Sequence, residues 1–311
     1  MVGIALYSQG RFPEAEKVLT EVLDLERQVL GPENRNTLVT ATNLAYVLMK
    51  EGKLPESEKL YREALEIQRR TIGSDAPETL TTMSYLGMIA NAGGHYAEAE
   101  KLQREALDTQ QRVLGPQHSD TLTSMMFLAR TIAKEGRYAE AEKLDREALQ
   151  RSERAFGSEA ELTLYAANEL AKVLEHEGQY SEAEKMERQT LDVQRRVLGP
   201  GNPQTTGTAE SLAMTLSREG RYPDAEKLFQ EEIQVAGKTG ALAAAWYNFA
   251  CGAAVAGRRD EALDHLGQAI GLGYNHADAI AADEDLKSLH GDPRFDALVA
   301  KARQVATAAT Q

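Results

Sequence analysis

Residues 42–65 read TNLAYVLMKEGKLPESEKLYREAL, and this stretch decides the fold. Apolar side chains recur at helical spacing on both sides of Gly52, such as Leu44 and Leu48 before it and Leu60 and Leu65 after it. Glycine ends a helix cheaply, because it adopts the left-handed backbone conformation without strain. The stretch therefore predicts two helices that form a hairpin around Gly52.

The same pattern recurs along the chain with a period of 42 residues. The glycine between the two helices is found in six copies: Gly10, Gly52, Gly94, Gly136, Gly178 and Gly220. A second glycine ends the second helix in five copies: Gly31, Gly73, Gly115, Gly157 and Gly199. One hairpin cannot bury its apolar stripe alone, so successive hairpins must stack. The sequence therefore predicts an all-α solenoid of tandem helical hairpins.

Small residues and capping residues predict where the helices touch and where they begin. A small residue occupies one position near the start of the second helix in every copy: Ala15, Ser57, Ala99, Ala141, Ala183 and Ala225. We expect the first helix to approach closely there, so that a larger side chain would overpack. Asn34, Ser119 and Asn202 are predicted N-caps of first helices, because their side chains can accept from free backbone N–H groups.

The composition argues against several classes of partner. The formal charge is −13 and the pI is near 5.1, so the chain as a whole repels nucleic acid and anionic membrane surfaces. The single cysteine, Cys251, cannot form an intramolecular disulfide, which favours a reducing compartment and predicts a cytoplasmic location. No run of apolar residues reaches the length of a membrane span, so we expect no membrane partner.

The repeated residues resemble the tetratricopeptide repeat, in the 42-residue form found in kinesin light chains and in many bacterial proteins. The segments that carry the resemblance are Thr42 to Ala45, Glu51 to Lys53, Glu56 to Leu65, and Leu114 to His118. The resemblance implies a right-handed α-α superhelix that binds a protein or peptide in a concave groove. It implies a scaffold or adaptor rather than an enzyme, and it does not identify the partner.

The repeat frame predicts three regions. Residues 1–236 form six 42-residue hairpins, residues 237–274 form a shorter seventh hairpin, and residues 275–311 form C-terminal capping helices. Glu232 replaces the small residue found as Ala64, Ala106 and Ala148, so we expect the sixth hairpin to pack differently against the seventh.

The first hairpin is shorter than the others, because its first helix lacks roughly eight residues that every later copy has. This observation suggests that the chain is the C-terminal part of a longer product, or that its start is misassigned. One alternative function is therefore a sensor or regulatory region of a larger signalling enzyme, such as an ATPase or a kinase. Another is a scaffold that self-associates through the truncated N-terminal hairpin.

The resemblance implies that the first helix of each hairpin lines the groove. The predicted groove residues are Asn43, Tyr46, Lys50, Met88, Met126, Arg130, Lys134, Asn168, Lys172, His176, Met214, Arg218 and Asn248. Asn43 and Asn248 match the family's groove asparagine, which can bind a peptide backbone. At least one of the three methionines is expected to fill the core instead.

Several predicted groove residues are basic. Arg130 and Lys134 are four residues apart, as are Lys172 and His176, so each pair lies on one helical face. With Arg218, these pairs predict a basic strip that suits an acidic peptide or a C-terminus. The alternative is that nearby acids neutralise the strip, and the candidates are Glu169, Glu175 and Glu210.

No motif for catalysis, metal binding or nucleotide binding is found. The six histidines do not pair with one another or with Cys251 at the spacing of metal ligands. The glycines are periodic helix ends and form no phosphate-binding loop. Cys251 follows Ala250 in an apolar helix, so we expect a buried thiol and not a nucleophile. We therefore expect no catalytic residue, no cofactor and no metal.

Overall fold

The structure, a computed structural model, describes residues 6, 11–239 and 241–309, and every regular element in that part of the chain is a helix. The predicted all-α solenoid of tandem hairpins is therefore confirmed. The chain divides into two compact units, Met1–Gly157 and Ser158–Gln311. Gly10, which we predicted to lie between the helices of the first hairpin, is outside the described residues.

The first unit alternates two kinds of helix. Its helices are α1 (Phe12–Val29), α2 (Arg35–Lys50), α3 (Leu54–Thr71), α4 (Pro77–Ala92), α5 (Tyr96–Val113), α6 (Ser119–Lys134) and α7 (Tyr138–Phe156). We call α2, α4 and α6 the A helices, because each is the first helix of its hairpin. The B helices are α1, α3, α5 and α7. Consecutive helices pack against each other along the unit.

The second unit continues the alternation and ends in shorter elements. It contains α8 (Glu161–His176), α9 (Tyr180–Val197), α10 (Pro203–Arg218), α11 (Tyr222–Thr239), α12 (Leu242–Val255), α13 (Arg259–Gly271), α14 (Ala277–Ala282), a 3-10 helix (Glu284–Leu289) and α15 (Pro293–Ala309). Its A helices are α8, α10 and α12. Because α11 continues to Thr239, the predicted boundary after residue 236 falls inside a helix. The division into six hairpins, a seventh hairpin and a cap stays a prediction.

The ends of the helices follow from local chemistry. Gly52 has a φ of 77°, the left-handed conformation that lets the chain leave α2 and enter α3. The side chains of Asn34 and Asn202 cap α2 and α10 by accepting from backbone N–H groups at 2.9 and 2.8 Å. The prediction for Ser119 is wrong: α6 begins at Ser119, and His118 caps it by accepting from the backbone N–H of Asp120 at 3.2 Å.

The small position of each B helix is buried as predicted. The six residues in this position, Ala15, Ser57, Ala99, Ala141, Ala183 and Ala225, are all 0% exposed. Ser57 is the one hydroxyl among them, and it donates to the carbonyl oxygen of Ala45 in α2 at 2.5 Å. This bond satisfies the buried hydroxyl, so serine is tolerated where the other copies have alanine.

Ion pairs connect successive B helices on the outside of each unit. In the first unit, Arg62 lies 2.8 Å from Glu98 and Arg104 lies 2.7 Å from Glu140. In the second unit, Arg195 lies 2.6 Å from Glu231. The partners in each pair are 36 residues apart, so the repeat period fixes the register of the pairs. Because the side chains are exposed, each pair adds little stability.

Candidate functional site

The A helices of the first unit frame a pocket. Its volume is about 330 Å³, and its wall is formed by α2 and α4, with Tyr61 and Gln68 of α3 among its lining residues. Asn43 and Tyr46, two of the predicted groove residues, line this pocket. We call it the groove pocket, and the surface of α2, α4 and α6 around it the first A face.

A row of aromatic rings lies beside the groove pocket. The ring of Tyr85 in α4 is 5.5 Å from Tyr46 in α2 and 5.7 Å from Phe127 in α6, with edge-to-face geometry in both pairs. It also stacks on Tyr61 at 5.9 Å. The row thus joins all three A helices of the unit. Tyr61 is 1% exposed and Phe127 6% exposed, so only the partly exposed rings of Tyr46 and Tyr85 can offer apolar contact area to a partner.

The sequence prediction missed Tyr85 and Phe127. Both residues stand at the repeat position of Asn43, one and two periods further along the chain. The sequence prediction used this position only where it holds an asparagine, so it did not include the two copies with aromatic rings. Reading the same position through every repeat would have found the aromatic row.

Two cations border the aromatic row. Lys50 Nζ lies 5.3 Å from the centre of the Tyr46 ring, and the Arg130 guanidinium lies 5.9 Å from the centre of the Phe127 ring. Loss of hydration lowers the pKa of Lys50, and the positive charge of Arg130 lowers it further. The charges of Lys50 and Arg130, two predicted groove residues, therefore act on each other. Lys134 is exposed at the end of α6.

The three methionines lie at different depths. Met126 is 0% exposed, so its prediction as a groove residue is wrong and its side chain belongs to the core. Met88 is partly buried in α4. Met214 is also partly buried and packs against the core of the second unit. The expectation that at least one methionine fills the core is therefore correct for Met126.

The second unit neutralises its predicted basic residues. Lys172 Nζ lies 3.0 Å from Glu169, which is only 4% exposed. Arg218 lies 3.4 Å from Glu175 and 3.2 Å from Asp285 in the 3-10 helix. Burial raises the pKa of Glu175, while the Thr215 hydroxyl and the Arg218 charge oppose this rise. In this unit, nearby acids therefore neutralise Lys172 and Arg218, and these two residues do not form the predicted basic strip.

The predicted groove asparagines of the second unit are also engaged. Asn168 Nδ2 donates to Thr208 in the next A helix at 2.7 Å. Asn248 Nδ2 donates to Glu232 Oε1 at 3.3 Å. His176 is exposed at the end of α8. Asn168 and Asn248 therefore form hydrogen bonds within the second unit.

Three carboxyl groups of the second unit have strongly raised pKa values. Burial raises the pKa of Glu187 to about 9, that of Glu210 to about 7 and that of Glu232 to about 8. The charge of Glu175 contributes to the raised pKa of Glu187, and the charge of Glu210 contributes to that of Glu232. The sequence prediction had treated Glu210 as a neutralising charge. The structure shows that burial favours its uncharged form.

Neither a metal centre nor a reactive thiol is formed among the described residues. No group of three or more histidine, cysteine, aspartate or glutamate side chains could hold a metal ion in residues 11–239 and 241–309. Cys251 is 5% exposed, and burial raises the pKa of its thiol. No helix in the described ranges is long and apolar enough to cross a membrane.

Sequence comparisons identify the repeats. A model described as a tetratricopeptide repeat matches residues 37–112 and 120–196, and a second model with that description matches residues 1–36. A model described as an A/B hydrolase-like N-terminal domain matches residues 211–310, and every regular element described in this range is a helix. A search of curated proteins found no match.

Solved structures of similar fold include kinesin-light-chain-like proteins. A Podosopora anserina protein described as a kinesin light chain with nearly identical TPR-like repeats is 25% identical over 65% of this chain and 96% of its own, with a TM-score of 0.52. BtubC (BKLC) from P. vanneervenii is 18% identical over 75% and 92%, with a TM-score of 0.57. The Rap conjugation gene regulator of plasmid pLS20 is 12% identical over 88% and 74%, with a TM-score of 0.63.

These matches agree with the repeat period and with the observed hairpins. The tetratricopeptide repeat is typically a non-catalytic scaffold for protein interaction. The chain belongs to the tetratricopeptide repeat family, in the form found in kinesin-light-chain-like proteins.

Proposed function

We propose that the first A face binds an extended segment of another protein, and that an acidic side chain or a C-terminal carboxylate of this segment lies against Lys50 and Arg130. The aromatic row with these two cations beside the 330 Å³ groove pocket carries this proposal. The function is that of a non-catalytic adaptor.

The chemistry of the face favours such a segment. Tyr46 and Tyr85 offer rings that can cover apolar side chains of a partner, and rigid aromatic contacts contribute much of the affinity in many interfaces. Asn43 lines the same pocket and has both a donor and an acceptor for a peptide backbone. A carboxylate near Lys50 and Arg130 would form charge-assisted hydrogen bonds.

The net charge of the chain makes this local field selective. Because the whole molecule carries −13, an acidic partner is repelled from most of the surface and attracted locally to Lys50 and Arg130. A neutral or basic segment would lack this attraction to the two cations. A structural neighbour of similar fold supports a peptide partner, since the Rap conjugation gene regulator was solved in complex with the Phr* peptide.

A peptide selection tests the proposal. The purified chain is used to select binders from a random dodecapeptide library, and the winners are labelled for fluorescence anisotropy. We expect apolar residues next to an acidic residue or a free C-terminus. The double variant Lys50→Glu/Arg130→Glu should weaken binding at least about tenfold, because it replaces attraction by repulsion.

The matched control reverses two charges on B helices. Lys101 in α5 and Lys143 in α7 are exposed and lie away from the groove pocket. Lys101→Glu/Lys143→Glu changes the net charge by the same amount and should leave affinity within about twofold at moderate salt. Equal losses in both double variants, with helicity unchanged, would reject the first A face as the binding site.

A further inference from the structure

Two cavities occupy the same position of the repeat frame, one in each unit. In the first unit, Thr37, Leu60, Ala64 and Ile67 line a cavity of about 260 Å³. In the second unit, the equivalent residues four periods later are Thr205, Leu228, Glu232 and Val235, and they line a cavity of about 210 Å³. Because the repeat is the same, the first cavity serves as an internal reference for the second.

The first difference between the two cavities is a carboxyl group. Ala64 is 2% exposed and apolar, whereas Glu232 brings a carboxyl group to the same position. Asn248 donates to Glu232 Oε1 at 3.3 Å, but Glu232 Oε2 is buried and has no hydrogen-bond partner among the described residues. A buried acceptor of this kind is costly unless a donor reaches it.

The second difference is a threonine hydroxyl. Thr37 donates to the carbonyl oxygen of Gly31 at 2.9 Å, and two other copies of this threonine, Thr79 and Thr121, bind their loop glycines at 2.8 and 2.9 Å. Thr205 is 2% exposed, yet its Oγ1 has no hydrogen-bond partner in the described residues. The threonine has thus lost the internal bond in the copy where the glutamate appears.

Charged groups around Glu232 define what could satisfy it. When Glu210 in α10 is ionised, its like charge disfavours ionisation of Glu232. At the rim, Arg195 is exposed and lies 2.6 Å from Glu231, so its charge is already matched. The charge of Lys172 acts on Glu210 from α8. The cavity therefore favours a ligand that supplies its own positive charge.

We propose that the second cavity, which we call the Glu232 cavity, binds a primary alkylammonium group that donates to Glu232 Oε2 and Thr205 Oγ1. A carboxylate only accepts hydrogen bonds and a hydroxyl can accept one, so a group bound to both must be a donor. An ammonium is compact and has three donors on one atom. Its alkyl stem would contact Ala209, Leu228 and Val235, which line the same cavity.

The ammonium could belong to a lysine side chain of a bound protein or to a free amine. Either source presents the same chemistry to the cavity. A neutral ligand of equal size would leave the carboxylate charge unmatched. This site lies outside the groove pocket, so the inference does not depend on the proposed peptide-binding function.

Methyl NMR titration with n-butylammonium tests the proposal on the full chain. We expect the methyl signals of Leu228 and Val235 to shift saturably, while those of Leu60 and Ile67 in the reference cavity stay unchanged in the same spectra. n-Butanol, the neutral probe of similar size, should produce no saturable shift. Equal shifts in both cavities, or equal responses to the alcohol, would overturn the proposal.

The pH dependence supplies a second readout. Burial holds the pKa of Glu232 at about 8, and an ammonium requires the ionised carboxylate. Affinity should therefore rise about tenfold per pH unit between pH 6 and about pH 8, where the alkylammonium itself stays charged. A flat affinity over this range would contradict ionisation of Glu232 on binding.

Two variants and a second ligand complete the experiment. Glu232→Gln removes the charge and should abolish saturable binding. If this variant fails to fold, Thr205→Val is used in its place; it removes the hydroxyl and should weaken binding severalfold. Acetyl-Gly-Lys-Gly-amide is titrated in parallel. Tighter binding of this peptide would assign the ammonium to a lysine of a partner protein, and tighter binding of n-butylammonium would assign it to a free amine. Binding of neither ligand would overturn the proposal.

Discussion

The two units place different chemistry on A helices that share one repeat frame. In the first unit, the position of Asn43 becomes Tyr85 and Phe127 in the next two repeats, and rings and cations lie side by side. In the second unit, the same position holds Glu169, which is buried and bound to Lys172. The frame thus fixes where a side chain is placed, while the residue type decides whether it packs against rings, as Phe127 does, or forms an ion pair, as Glu169 does.

This contrast gives similar cations different roles. Arg218 binds two acids of its own unit, one of them in the 3-10 helix, so its charge holds secondary-structure elements together. Lys50 instead lies over a tyrosine ring beside an open pocket. We therefore expect removal of a cation to affect stability in the second unit and binding in the first.

The largest expected effect comes from Arg218→Gln. Removing this cation leaves Glu175 buried without its charged partner, so the second unit should lose about 3 kcal/mol of unfolding free energy. Urea denaturation followed by circular dichroism reports on both units, and the fluorescence of Trp246, the one tryptophan in the chain, reports on the second. Lys50→Gln is the control in the first unit and should change the unfolding free energy by less than about 1 kcal/mol. Equal losses of unfolding free energy in the two variants would contradict the different roles assigned to Arg218 and Lys50.

Overpacking at the small position tests what the two units share. Ala141→Leu and Ala183→Leu insert a large side chain at positions that are 0% exposed in the first and second unit. Each variant should lose roughly 1 to 3 kcal/mol, because helix A leaves no room there. Thermal unfolding followed by circular dichroism measures the loss, with the exposed Ala139→Leu as control. A large cost in one unit alone would show that the shared frame packs differently in the two.

The pH dependence of stability tests the raised pKa of Glu232, at the position where the first unit has Ala64. The folded chain raises the pKa of Glu232 from 4.5 to about 8, so the folded state retains a proton that the unfolded state has released. The contribution of this group to the unfolding free energy therefore falls as pH rises through that window. Relative to Glu232→Gln, the wild type should lose about 3 kcal/mol between about pH 5 and pH 8.

Denaturation at both pH values, followed through Trp246, measures this difference. Glu63→Gln in the first unit is the matched control, since Glu63 forms an exposed pair with Arg27 at the equivalent rim position of Glu231. Because Glu63→Gln retains Glu232, it should keep the pH dependence of the wild type. If the wild type and Glu232→Gln respond identically to pH, the carboxyl group of Glu232 is not held in its uncharged form.

The smallest effect is expected on the B helices. Arg62→Gln and Arg195→Gln each remove one exposed ion pair between successive B helices. The loss should be below about 1 kcal/mol in either unit, and added salt should reduce it further. Urea denaturation at low and high salt measures it. A loss of several kcal/mol would mean that the outer pairs, and not the packed helices, hold the register.

The fold was predictable because single residue types recur every 42 residues. Gly52 and its copies mark the hairpin turns, and the small residue near the start of each B helix marks the helix contact. The cap of α6 was less predictable, because His118 and Ser119 both have side chains that can accept from a backbone N–H, and the register differs by one residue.

The candidate site was only partly predictable. Tyr46 and Lys50 follow from the frame, and both lie on the first A face. Met126 could not be assigned from its frame position, since methionine suits both a groove and a core, and here it is buried. The loss of Arg218 from the basic strip depends on Asp285, a partner 67 residues away in sequence, and nothing in the local sequence indicates that contact.

The most direct test of the first A face is site-specific photo-cross-linking. A selected peptide is synthesised with a benzophenone next to its acidic residue, and the cross-linked chain is mapped by mass spectrometry. We predict cross-links to α2 and α4 around Tyr46 and Met88, and competition by the unlabelled peptide. Cross-links confined to the B helices or to the A helices of the second unit would contradict the assignment of partner binding to the first A face.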